Sequence, residues 1–143
     1  MKKIKIKRFD KDLPLPEYKT RGAVAFDLMA RADTVIPARS IGYVPLNVAM
    51  TIPAGHMILL AARSSLHKKG LMMANGVGVV DEDFCGNGDE YKAALYNFTD
   101  SAVAVSRGDR IVQAILKPYE KADWDEVDDL ERETRGGFGT TGI

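Results

Sequence analysis

The sequence predicts an all-β fold of the sandwich, jelly-roll or barrel kind, and three observations carry that reading. The apolar residues fall in short runs, many alternating with polar ones or rich in β-branched side chains, the pattern of half-buried strands. Turn formers separate the runs, as in Pro53-Ala54-Gly55, Gly86-Asn87-Gly88-Asp89 and Ser106-Arg107-Gly108-Asp109, where glycine, proline and Asx residues supply the dihedrals that reverse a chain. No stretch sustains a helical period, which argues against a parallel sheet with crossover helices.

The expected elements follow in chain order. Residues 3–9 interleave lysines with apolar residues and read as a first strand with one buried face; they contain no continuous apolar stretch of signal-peptide or membrane length. Residues 40–46 and 56–62 are the next strands. Arg63-Ser64-Ser65-Leu66 opens the one convincing helical turn, with Ser64 or Ser65 as its cap and Gly70 as its end. Strands follow over residues 76–80, 91–98, 102–105 and 110–117. After Tyr119 the chain turns acidic (Asp123, Asp125, Glu126, Asp128, Asp129, Glu131, Glu133) and then glycine-rich; such a segment buries little and stays mobile until something orders it. One domain over residues 1–130 with a mobile tail over 131–143 is therefore expected.

Composition narrows the function. The chain has 143 residues, 45% hydrophobic and 28% charged, with a formal net charge of +0. It has no overall basic field of the kind that holds duplex nucleic acid, so any anionic ligand must be met by local charge. Cys85 is the only cysteine, which excludes an internal disulfide and fits a reducing, cytoplasmic setting. His56, His67 and Cys85 lack zinc-ligand spacing, and no serine sits in a nucleophile-elbow context. A catalyst built from this inventory should activate water, with arginine and a divalent ion stabilising charge.

Three segments suit phosphate and base recognition. Arg63 followed by Ser64 and Ser65 offers a planar cation, two hydroxyls and free backbone N–H groups to phosphate oxygens; alone, the same residues suit a capped helix with a solvated arginine, and Lys68 and Lys69 read as its solvated face. Gly76-Val77-Gly78-Val79-Val80-Asp81 is glycine-relieved, so its main chain can approach a flat base closely. Asp81 at its end is suited to take a proton from water beside a phosphate, or is part of an acidic turn. Phe84 either covers a sugar or base or joins the core. Gly136-Gly137-Phe138-Gly139-Thr140-Thr141-Gly142 combines an anion-binding nest, two hydroxyls and a lone aromatic, the chemistry of a lid that stacks Phe138 on a ligand. Arg132 and Arg135 add positive charge beside it.

Five segments in order, Ala25-Phe26-Asp27-Leu28, Arg63-Ser64-Ser65-Leu66, Gly76 to Phe84, Gly108-Asp109-Arg110-Ile111-Val112-Gln113 and Arg135 to Gly142, resemble the motifs of the trimeric dUTP diphosphatases across nearly the whole chain. The resemblance implies a jelly-roll-like or distorted β-barrel subunit, a homotrimer with active sites at subunit interfaces, and Mg2+-dependent hydrolysis of dUTP to dUMP and pyrophosphate. It implies Asp81 as the base and Asp27 as holder of a water of the metal's shell. Arg63, Ser64 and Ser65 would contact phosphates, with Ser64 near the scissile bridge and Gln113 supporting from a neighbouring subunit. Asn75 with the main chain of Gly78, Val79 and Val80 would read the uracil edge. Phe138 would stack on uracil, while Arg135, Gly139, Thr140 and Thr141 would engage the outer phosphates after the tail crosses to another subunit.

Three departures from the family pattern stand out. Phe84 occupies a position where tyrosine is common, keeping a ring for the deoxyribose but losing a phenol oxygen. The connection over residues 85–91 is longer by a few residues, which bears on whether Lys92 contacts substrate. Arg135 stands closer to Gly136-Gly137-Phe138 than the usual arginine does, leaving Arg132 as the other candidate. The resemblance leaves two further readings: a dCTP deaminase or bifunctional relative, opposed by the absence of glutamate in residues 91–98, and a non-enzymatic nucleotide-binding regulatory module, opposed by Asp81.

Overall fold

Strand-forming residues that must satisfy their backbone groups and bury one face give this chain an almost purely antiparallel β architecture. A computed structural model describes residues 1–142. It contains β1 (Ile6–Arg8), β2 (Phe26–Met29), β3 (Thr34–Ile36), β4 (Ile41–Pro45), β5 (Val48–Met50), β6 (His56–Ala62), a 3-10 helix (Leu66–Lys69), β7 (Leu71–Met73), β8 (Gly78–Val80), β9 (Lys92–Asn97), β10 (Val103–Val105) and β11 (Arg110–Pro118). The strands form a sheet of order β2-β11-β6-β8, a second of order β4-β9-β7, and the pairs β1-β5 and β10-β3. Among the described residues every strand pairing is antiparallel.

The inward faces meet in one core. Leu28, Ile58 and Val112 from the first sheet and Val44, Leu71 and Leu95 from the second are all essentially inaccessible to solvent. The alternation that predicted the strands is visible in β9, where Ala93, Leu95 and Asn97 are buried between more exposed neighbours. Asn97 earns its place among apolar residues by donating from Nδ2 to the carbonyls of Ile36 (3.0 Å) and Ser101 (2.8 Å), so no amide is left unpaired. A bulge in β11 between Arg110 and Val112 turns both Ile111 and Val112 inward.

All seven expected strands are present, five with trimmed ends, β6 over the expected residues and β11 one residue longer, while β2, β3, β5 and β7 were not foreseen. Each of these four has only three or four residues, too few to display a period. The strand expected over residues 76–80 begins at Gly78, because Gly76 adopts φ 71° and serves the preceding turn. The helical turn is a 3-10 helix, and Gly70 ends it in the left-handed conformation (φ 82°). Ser65 stands at its N-cap, but its side chain makes no capping bond, which leaves the hydroxyl free.

Gly70 is constrained twice. Its φ is positive, and a Cβ there would lie 2.3 Å from Cγ2 of Thr99. Gly70→Ala should therefore cost about 1–3 kcal/mol and lower Tm by several degrees, measured by thermal unfolding; an unchanged Tm would show that the turn is not held.

Candidate active site

Apart from those of the tail, the expected site residues fall into two groups, carried mainly by the sheet β2-β11-β6-β8. The first surrounds a cavity of about 400 Å³ whose lining includes Asn75, Gly78, Val79, Val80, Asp81, Phe84 and Lys92. β8 forms its floor by pairing with β6, Gly78 opposite Leu60. A Cβ on Gly78 would sit 3.0 Å from that of Leu60, so glycine permits the close approach. Turns at Gly76 (N–H to the Met73 carbonyl, 3.1 Å) and Phe84 (N–H to the Asp81 carbonyl, 3.1 Å) fold both ends of β8 around the cavity. Phe84 is exposed rather than part of the core, with its ring centre 6.3 Å from that of Tyr91.

The opposite wall comes from the long connection over residues 85–91. Glu90 pairs bidentately with Arg31 at 2.6 and 3.0 Å and accepts the Asn47 N–H at 3.0 Å. Asn47, at φ 70°, also accepts from the Asp10 N–H and donates to its carbonyl. This network pins the loop before Tyr91 and Lys92, and neither Glu90 nor Arg31 was foreseen as a support. The loop beyond Asp81 has its own anchor. Glu82 accepts from the Tyr119 hydroxyl and the Gly55 N–H, both at 2.8 Å. The phenol bond, followed by the Gly55 bond, holds the Glu82 carboxyl below its ordinary pKa, and the same contact raises Tyr119.

The second group gathers on the other side of the sheet. Gln113 of β11 stands opposite Asp27 of β2 and opposite Ala61 of β6, so one strand brings three motifs together. Asp27 pairs with Arg63 Nε at 2.9 Å and with Arg110 at 3.6 Å. Arg63 donates to the Arg110 carbonyl at 3.0 Å, and Gln113 to that of Ala62 at 2.9 Å. Ser64 and Ser65 follow at the surface. Arg110 is a member that residue-level reasoning missed, although it lies within the fourth motif.

These groups do not meet within one chain. β2 and β8 are separated by two intervening strands, and Asp81, one residue past the Val80–Ile58 pair, lies about four residues along from the level of Asp27. Standard strand spacing and rise put them roughly 20 Å apart. The tail joins neither. Among the described residues its hydrogen bonds are local, such as Gly137 N–H to Thr140 Oγ1 at 2.7 Å and Gly136 N–H to Thr134 Oγ1 at 3.1 Å. Arg132, Arg135, Phe138, Gly139 and Thr141 are exposed; Ile143 lies outside the described residues.

No helix among the described residues is long and apolar enough to cross a membrane, and no cluster of three or more His, Cys, Asp or Glu side chains is placed to hold a metal among them.

Comparison with known proteins supplies the context. The family model described as dUTPase matches residues 11–142. The deoxyuridine 5'-triphosphate nucleotidohydrolase of Dictyoglomus turgidum is 36% identical over 150 residues, covering all of both chains, and that of Corynebacterium glutamicum is 38% identical, covering 97% of this chain and 94% of its own. The crystal structure of dUTPase from Streptococcus mutans is 32% identical, covers 83% of this chain and 98% of its own, and superposes with a TM-score of 0.75.

The Glu82 anchor makes a pH-dependent prediction. Its folded pKa is depressed from 4.5, so its stabilisation is complete above that value and is lost as pH falls through the folded pKa. Glu82→Gln should be less stable than the parent at neutral pH, with the gap closing in acid; a gap that persists or widens in acid would contradict the anchor. Unfolding measured across pH distinguishes the two.

Proposed function

The chain belongs to the dUTPase family, and from that premise we propose how it hydrolyses dUTP to dUMP and pyrophosphate. The observation that carries the reading is the convergence of Asn75, Gly78, Val79, Val80, Phe84 and Lys92 on one cavity with Asp81 at its edge. In the proposed complex the main chain of Gly78, Val79 and Val80, with Asn75, hydrogen-bonds the uracil edge. Cytosine would leave those groups unpaired, and buried unpaired groups discriminate strongly. Phe84 packs on the deoxyribose, and Lys92 lies at the same wall. Limiting uracil in DNA and supplying dUMP for thymidylate synthesis follow from this reaction.

Asp81 takes a proton from water as the water oxygen bonds to the α-phosphorus. The bond from that phosphorus to the α,β-bridging oxygen breaks, and pyrophosphate leaves with the bridging oxygen. Arg63, Ser64 and Ser65 neutralise and orient the phosphates, with Ser64 at the bridge. Asp27 is the residue that fixes the Arg63 guanidinium, at 2.9 Å, and Gln113 braces the end of β6 at the Ala62 carbonyl.

The donor set suits Mg2+ in one manner only. Asp27 is already paired with arginine, but a carboxylate keeps lone pairs free to accept from a metal-bound water. The absence of an acidic cage among the described residues matches an ion held chiefly by substrate phosphates. When bound, it would offset the charge of the phosphates.

A base and a phosphate clamp must act on the same α-phosphate, yet they stand roughly 20 Å apart in one chain by strand spacing. We therefore assign the complete site to an oligomer, the homotrimer that the family resemblance implies, with Asp81 from one subunit and Asp27, Arg63, Ser64, Ser65 and Gln113 from a neighbour. A groove of about 880 Å³ that includes Tyr18, Val24 and Phe26, with Val24 74% exposed, supports association. Residues 1–130 form the domain and 131–143 the closing tail, with Phe138 on uracil and Arg135, Gly139, Thr140 and Thr141 on the phosphates. The cytoplasm is the compartment that one reduced cysteine fits.

The testing experiment is incubation with each deoxynucleoside triphosphate and UTP, with and without chelator. Metal-dependent conversion of dUTP alone is expected; uracil nucleotides from dCTP, or no turnover, would overturn the reading. Asp81→Asn should keep nucleotide binding and lower kcat by about 10²–10⁴-fold, and a near-parental rate would remove Asp81 from the mechanism. Truncation after Arg132 should slow turnover while leaving Tm unchanged; a lowered Tm would make the tail structural.

A further inference from the structure

Tyr91 carries an atom that the mechanism above leaves unused. The side chain is 1% exposed, and its Oη is a buried polar atom with no hydrogen-bond partner, alone in that respect among the described residues. The backbone is locked on both sides, its N–H donating to the Val48 carbonyl and its carbonyl accepting from Leu46, at 2.9 and 2.8 Å. The Glu90–Arg31 pair, one residue earlier, anchors the same segment. An unpaired buried hydroxyl is destabilising, and native proteins seldom carry one without a reason.

Its position supplies the reason. Tyr91 lines the same cavity as Asn75, Asp81, Phe84 and Lys92. Its ring neighbours that of Phe84, with centres 6.3 Å apart and planes tilted by 30°. Phe84 is the ring on which the sugar is placed, and it has no polar atom of its own. Phe84 and Cys85 are both exposed, and contact between a ligand and the phenol requires one of them to move aside. Burial, and secondarily Cys85, push the Tyr91 pKa up to about 12, so the group is a neutral donor at any working pH.

Resting on the nucleoside placement proposed above, we propose that Tyr91 is a specificity-determining residue whose hydroxyl donates to the 3′-hydroxyl oxygen of the bound deoxyribose. The free protein holds the donor without a partner, and the nucleotide supplies one. A sugar lacking that oxygen leaves the phenol unpaired in the complex as well.

The test is a cycle of two proteins and two nucleotides: the parent and Tyr91→Phe, each with dUTP and with 2′,3′-dideoxyuridine triphosphate. Because phenylalanine keeps the ring and removes only the orphan, Tyr91→Phe should match or exceed the parent in Tm. It should raise KM for dUTP by about five- to tenfold and change kcat little. The parent should lose a similar factor on the dideoxy substrate, and Tyr91→Phe should lose nothing further. A lowered Tm would mean that the hydroxyl is already paired in the free protein, and an unchanged KM or additive losses would mean that it does not touch this oxygen; each overturns the proposal. Parental turnover of dUTP in the same assay reports separately on the proposed function.

Discussion

The organisation of this protein depends on β11 being held between β2 and β6. A single nine-residue strand fixes, through backbone hydrogen bonds alone, where Asp27, Gln113 and the end of β6 at Ala62 stand relative to one another. Arg63 leaves β6 one residue later and meets Asp27 at 2.9 Å. With both side chains partly buried, the pairing is sensitive: a partner removed leaves a desolvated charge. Because β6 also carries β8 on its far side, the same sheet sets the position of the nucleoside cavity. One register error would flip the side chains of a strand to the wrong face and dismantle both groups.

The division of the site follows from that sheet. A base just past β8 and a phosphate clamp beyond the far end of β6 are rigid but far apart along the sheet, and in the proposed reading assembly brings them together. The proposed trimer makes the folded monomer an incomplete catalyst. The tail, whose hydrogen bonds among the described residues are local and whose Phe138 faces solvent, is in the proposed reading a third component that ligand binding orders.

Much of this was legible in the sequence, because motifs carry chemistry that depends on order and spacing. Arg63 and Asp81 stand out by residue type and context, Asp27 and Gln113 only through the family resemblance, and Asn75, Gly78, Val79, Val80, Asp81, Phe84 and Lys92 line one cavity. What escaped was of two kinds. Strands such as Thr34–Ile36 are too short to show a period, and they exist because long-range pairing, here with Val103–Val105, completes them. Supports such as Glu90–Arg31 and Glu82–Tyr119 join residues far apart in sequence, where no local pattern signals a partner. The unpaired Tyr91 hydroxyl belongs to the same class: a tyrosine opening a strand looks like core until its surroundings are known.

The central claim, that one active site takes Asp81 and Arg63 from different chains, is tested most directly by subunit mixing. Asp81→Asn and Arg63→Gln would each be purified, shown to be folded and weakly active alone, then co-assembled from denatured subunits. The mixture should regain dUTP hydrolysis well above the sum of its parts, because some interfaces receive an intact Asp81 from one chain and an intact Arg63 from the other. A mixture that forms hybrid oligomers yet hydrolyses no faster than that sum would contradict it, and would place both residues in one chain's site.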